Sequence, residues 1–112
     1  SKEQLHELQV ELIDRFGLLP QPVKNLLLLT DLKLKAKALG IVKITGAGDQ
    51  GKLDFAEQPA INPAELISLI QVHAARYKME GPQRLKFTID ATATEERIFE
   101  ISSLLNKLAL KT

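Results

Sequence analysis

Between Ile41 and Ile89 the chain twice places two short segments of strand character side by side across glycine-bearing residues, and this pairing restricts the fold more than any other pattern. Ile41-Val42-Lys43-Ile44-Thr45 is rich in β-branched side chains and Lys52-Leu53-Asp54-Phe55-Ala56-Glu57 alternates strictly, so the glycine-rich piece between them reads as a hairpin loop. Tyr77, Met79, Leu85, Phe87 and Ile89 alternate around Gly81-Pro82 and predict a second hairpin. Helical patterns surround both pairs. Pro22 through Leu39, closed by Gly40, is apolar around most of its axis, which predicts a central helix. Asn62-Pro63-Ala64-Glu65 supplies a cap, a proline at the first helical position and an acidic third residue; the helix it opens runs to about Ala75 with Leu66, Ile67, Leu69 and Ile70 inside. Thr92 with Glu95 fits a capping box for a last helix whose apolar face is Ile98, Ile101, Leu105 and Leu108. The order helix, helix, strand, strand, helix, strand, strand, helix predicts an α+β domain: an antiparallel sheet of about four strands with four helices packed on it. Strand order is not readable from these patterns.

The segment before Pro22 bears on function. Leu5, Leu8, Leu12 and Phe16 recur at three- and four-residue steps, the stripe of an amphipathic helix expected to pack one side on a core. At about 100° per residue Glu7, Glu11 and Asp14 fall within roughly 60° of one another on the opposite side, with Arg15 one turn after Glu11. Gly17 is expected to end this helix in the left-handed conformation, and Pro20 and Pro22 to fix the turn into the next. The charged face has the makings of a docking surface with no reaction attached. Leu18 and Leu19, in the loop, fit either inward staples or an exposed partner contact.

Composition closes several alternatives. One hundred and twelve residues, 45% of them hydrophobic, suffice for one domain spanning residues 1–112 and one core. Fifteen basic against fourteen acidic side chains leave +1, too little for a global field toward nucleic acid or anionic membrane. The absence of cysteine rules out disulfides and thiolate sites and fits a reducing cytoplasm, the expected location. The longest apolar run, Leu26 to Leu29, falls far short of the roughly 20 residues of a membrane helix. A chain beginning at Ser1 without an initiator Met reads as part of something larger, and a processed terminus would look the same.

Four other clusters weigh toward ordinary structural roles. Gly46-Ala47-Gly48-Asp49-Gln50-Gly51-Lys52 has dinucleotide-loop spacing, but Leu53 stands where a phosphate-binding loop needs Ser or Thr, and a strand follows instead of a helix. His6 and His73 lack companions for a metal site, and no cofactor is expected in this domain. Of Lys33, Lys35, Lys37 and Lys43 only Lys33 and Lys37 share a helical face, and aromatic residues for base stacking are scarce. Arg84 and Lys86 alternate outward from Leu85 and Phe87 as on any half-exposed strand.

Glu11-Leu12-Ile13-Asp14-Arg15-Phe16-Gly17-Leu18-Leu19-Pro20, followed by Pro22, Val23, Asn25 and Leu26, resembles the opening of the C-terminal domain of bacterial transcription-repair coupling factors. Gly81-Pro82-Gln83-Arg84-Leu85-Lys86-Phe87 resembles a second family segment, and Leu39-Gly40-Ile41 and Asn62-Pro63 fall between them as in the family. The resemblance spans nearly the whole chain and is poorest at the first hairpin tip and the last helix. It implies a non-catalytic regulatory domain of an ATP-dependent DNA translocase, whose ATP and magnesium belong to motor domains absent here. It implies docking on a UvrB-homology module, masking of the surface that binds UvrA, and a parent protein that engages RNA polymerase and double-stranded DNA. Glu11, Asp14 and Arg15 match the family's charged contact and are the implied partner-binding residues, with the fragment itself monomeric. The competing readings are an autonomous nucleic-acid-binding module and a small enzyme; the first predicts steeply salt-dependent affinity, the second a deep pocket with converging polar groups.

Overall fold

A computed structural model describes residues 1–110. The elements run α1 (Lys2–Gly17), α2 (Gln21–Ala38), β1 (Ile41–Ala47), β2 (Gln50–Phe55), α3 (Pro63–Val72), β3 (Tyr77–Met79), β4 (Arg84–Thr88) and α4 (Thr94–Leu108). This is the expected α+β architecture, four helices with one four-stranded antiparallel sheet. The sheet order is β1-β2-β4-β3, so both hairpins join through a non-sequential antiparallel pairing of β2 with β4. Leu53 sits opposite Leu85 at the centre of that pairing, and neither exposes any surface.

The two faces of the sheet separate by the two-residue period of a strand. Leu53, Phe55, Leu85 and Phe87 turn inward onto α4, which buries Ile98, Ile101, Leu104, Leu105 and Leu108. α2 flanks α4 beside β1, and α3 flanks it beside β3. The other face keeps polar side chains, among them Lys52, Lys86 and Lys78 in one cross-strand row.

Local chemistry explains most boundaries. The Asn62 carboxamide oxygen accepts a hydrogen bond from the Ala64 N–H at 3.0 Å with Pro63 next, so α3 begins where expected. Gly40 closes α2 with φ 76°, and only glycine takes that conformation readily. The first hairpin is tighter than a glycine-rich loop: Ala47 pairs with Gln50 and Gly46 with Gly51, leaving Gly48-Asp49 as the turn. Gly48 supplies the positive φ, 61°, that a type II′ turn takes at its first central residue.

Six expectations need correction. The stripe of Leu5, Leu8, Leu12 and Phe16 does not pack on a core: α1 buries no residue, and Leu5 and Leu12 are 57% and 55% exposed. α1 has no substantial packing against any other element. α2 is not central, since only Leu32 and Ala36 are buried while Leu34 is 65% exposed; the sheet and α4 cover one side of it alone. Gly17 has no positive φ; α1 ends instead through a tightened turn in which the Leu18 N–H donates to the Arg15 carbonyl and the Leu19 N–H to the Phe16 carbonyl, both at 3.1 Å. Ile67 is exposed, lying on the side of α3 away from α4. α3 stops at Val72, because His73 leaves helical geometry and a turn leads into β3. α4 is capped by Ala93 without a side-chain bond, so the box of Thr92 with Glu95 does not form; Glu95 instead accepts from the Gln21 amide at 2.8 Å. Leu18, left open by the sequence, is 86% exposed, and Leu19 is half-buried.

Candidate functional site

α1 begins with a capping box in which the Ser1 hydroxyl accepts from the Gln4 N–H while the Gln4 side chain accepts from the Ser1 amino group. One unbroken helix therefore carries Glu7, Glu11, Asp14 and Arg15, so the helical angles that put them on one side apply without a kink. Arg15 donates to Glu11 at 2.5 Å along the helix, and both side chains remain largely in solvent. Asp14 and Glu7 are exposed and have no ion-pair partner among the described residues. The helix holds four carboxylates, Glu3, Glu7, Glu11 and Asp14, against Lys2 and Arg15.

The structure thus brings Glu11 and Arg15 into contact, with Asp14 beside them on the same helix. An internal Arg15–Glu11 pair in water is weak, worth under about 1 kcal/mol, and exchanges readily for a partner's charges. Opposite this face runs the open apolar stripe. Residues at the α1–α2 junction are the better anchored: the Lys24 ammonium lies 5.8 Å from the centre of the Phe16 ring, and Phe16 is half-buried.

The remaining candidates have structural explanations. Gly46–Lys52 forms a hairpin followed by strand, with no helix N-terminus to receive a phosphate. Gly51 is demanded by packing, because a Cβ there would stand 2.4 Å from the Phe87 ring. His73 caps α3 and meets the Tyr77 ring edge-on at 6.5 Å between centroids. Among the described residues no cluster of His, Cys, Asp or Glu is arranged to hold a metal ion, and no helix is long and apolar enough to cross a membrane. Arg84 does not simply face water, since its Nε donates to Asp54 at 2.5 Å across the β2–β4 pair.

The lysine cluster divides. Lys35 is held by Asp31 at 3.3 Å and donates to the Ser102 hydroxyl at 3.0 Å. Lys33, Lys37 and Lys43 instead line a groove of about 760 Å³ together with Arg97 of α4. Sequence reading missed this grouping because Arg97 lies far along the chain, and the only signal was that Lys33 and Lys37 share a face of α2. Glu100 was missed for the same reason. It accepts from the Asp90 and Ala91 N–H groups at 3.1 and 3.2 Å and from the Arg76 guanidinium, tying α4 to the segment after β4. Burial raises the Glu100 pKa, but these donors outweigh it and hold the carboxyl below its ordinary value.

Comparison with known proteins adds the family. Residues 1–66, which include α1 and α2, match the TRCF domain profile. The chain is 42% identical over 108 residues to the transcription-repair-coupling factor of Escherichia coli (strain K12), covering 96% of this chain and 9% of that protein. It is 40% identical over 109 residues to the protein of the same name in Haemophilus influenzae, covering 97% of this chain and 10% of that protein. A third relative of that name, from Buchnera aphidicola subsp. Acyrthosiphon pisum, is 34% identical over 110 residues, 98% of this chain and 14% of that protein. The chain therefore spans about a tenth of the length of these relatives and belongs to the TRCF domain family of transcription-repair coupling factors.

Proposed function

We propose that this chain is a non-catalytic docking domain of a transcription-repair coupling translocase, and that α1 is its latch. One observation carries the reading. A 16-residue helix with two distinct faces, one charged and one apolar, leaves both uncovered by its own domain. Burying no residue at home, such a helix gains its stabilisation from another surface.

In the proposed closed state α1 lies on the UvrB-homology module of the parent protein and masks the surface that receives UvrA. Glu11 and Asp14 accept charge-assisted hydrogen bonds from basic side chains of that module, and Arg15 leaves its internal partner to return a pair. Leu8 and Leu12 supply apolar area beside these contacts. Charge pairs at such a rim are weak singly and select orientation as a group. That suits an autoinhibitory contact, because a swing from 1:99 to 99:1 between closed and open takes only about 5.5 kcal/mol of differential affinity. ATP and magnesium chemistry, and engagement of RNA polymerase and double-stranded DNA, belong in this reading to the rest of the parent protein.

The test is a titration of the chain against the isolated UvrB-homology module, with UvrA as competitor and with Asp14→Arg/Arg15→Glu as the variant. Binding that UvrA displaces and that the double reversal weakens about tenfold or more is the expected result. Binding indifferent to both would overturn the assignment of these residues. Should the separate pieces not associate, the same comparison is made with the two joined by a flexible linker, which raises the effective concentration to about millimolar; absence of association there also overturns it.

A further inference from the structure

A second surface, on the α2, β1 and α4 side of the body, has its own chemistry. The groove of about 760 Å³ reaches down to Leu32, Ala36, Ile41, Ile98 and Ile101, all buried members of the core, so it is an opening onto apolar interior. Its volume lies within the range of about 300–1,000 Å³ typical of binding clefts. Every charged residue lining it is a cation: Lys33 and Lys37 from α2, Lys43 from β1 and Arg97 from α4. In a chain with nearly balanced charge, four cations and no carboxylate in one lining is a local asymmetry. Among the described residues none of the four has a carboxylate within ion-pair distance, whereas Lys35, Lys52, Arg76 and Arg84 all do. Arg97 is nevertheless fixed, donating to the Gly48 carbonyl at 2.6 Å and the Ala91 carbonyl at 3.2 Å. Two of its five N–H donors suffice for those bonds.

We infer that this groove docks an acidic, amphipathic segment of another protein, with apolar side chains over the Ile41–Ile98 floor and carboxylates at the four cations. Charge complementarity selects the occupant. A polynucleotide fits poorly, since phosphates laid on an apolar floor lose water without replacement and no aromatic residue lines the groove to stack a base. A single fatty acid offers one carboxylate to cations spread over three elements. A second copy, inserting its own acidic α1, would make a head-to-tail contact that leaves the next groove open and propagates into chains unless the ring closes. An acidic segment of a different protein satisfies floor and rim with one contact.

The probe is a fluorescein-labelled peptide of about four helical turns, with Leu at three- and four-residue spacing and Glu elsewhere. It is titrated against the 112-residue chain beside a scrambled peptide, a Glu→Gln peptide and single-stranded DNA of similar length. Saturable binding is expected, with shifts in the methyl signals of Ile41, Ile44 and Ile98. It should weaken about tenfold or more in Lys33→Glu/Lys37→Glu and with the Gln peptide, fall also in Leu29→Gln, and stay unchanged in Asp14→Arg. That last variant separates this inference from the proposed role of α1. Far-ultraviolet circular dichroism of each variant, matching the parent, keeps a folding defect from imitating the result. Equal binding of the scrambled peptide, tighter binding of DNA, shifts confined to α1, or no saturation at millimolar peptide would each overturn the inference. Self-association of the chain that competes with the peptide would reassign the groove to a second copy.

Discussion

Gly51 and Glu100 each sit in an environment that tightly limits replacement. The Phe87 ring fills the space a Cβ at position 51 would occupy and, being buried, cannot swing clear. Gly51→Ala should therefore cost about 1–3 kcal/mol by urea unfolding, and pairing it with Phe87→Leu should recover part of that loss. Glu100 joins three donors, and replacing its carboxylate by an amide in Glu100→Gln should cost about 1–3 kcal/mol near neutral pH. The sign of its pH dependence follows from its lowered pKa. Its contribution is complete above the unfolded value of about 4.3 and disappears as pH falls through the lower folded value. Unfolding midpoints measured from pH 6 downward should accordingly fall less steeply in the variant. Neither role was legible beforehand, because Gly51 resembled any turn glycine and the partners of Glu100 are set by where α4 meets the loop after β4. Glu11, Asp14 and Arg15 could be placed on one face because a helix fixes their spacing without help from the rest of the fold.

Elements were legible wherever their own chemistry marked them. Asn62-Pro63 announced α3 and Gly40 ended α2, whereas α3 carries no stop signal and was read three residues too long. Burial of helices was read less well, since an apolar stripe says which side seeks cover and not whether the body supplies it; α1 and the outer side of α2 are the instances. Among the strands, Lys86 of β4 faces Lys52 on one neighbour and Lys78 on the other, and among the described residues only Lys52 is relieved, by Glu80 at 3.3 Å. Like charges directly opposite destabilise a sheet, so Lys86→Glu should stabilise it by about 0.5–1 kcal/mol. A chemical denaturation curve in low salt would show this, and the gain should shrink in high salt.

The molecule measures 45 × 33 × 24 Å with a radius of gyration of 15.8 Å, against about 13 Å for a compact chain of this length. The excess reflects α1, about 24 Å of helix standing outside the two-layer body. The α+β class followed from the order of elements, but the β1-β2-β4-β3 arrangement depends on the long-range match of Leu53 with Leu85, which no local pattern encodes. Because α1 fully buries no residue and only Phe16 is half-buried, deleting residues 1–17 should leave the thermal midpoint of the remainder within about 5 °C of the parent; a larger drop would show that α1 stabilises the body. An unpacked helix of 16 residues lies near the length at which isolated helices are marginal in water. Its amides should then exchange with solvent orders of magnitude faster than those of β2 and β4. In the proposed docked state α1 is held helical and its leucines are dried, so association should release heat and carry a negative heat-capacity change. Warming would then favour the undocked form, so the latch proposed for α1 would respond to temperature as well as to charge.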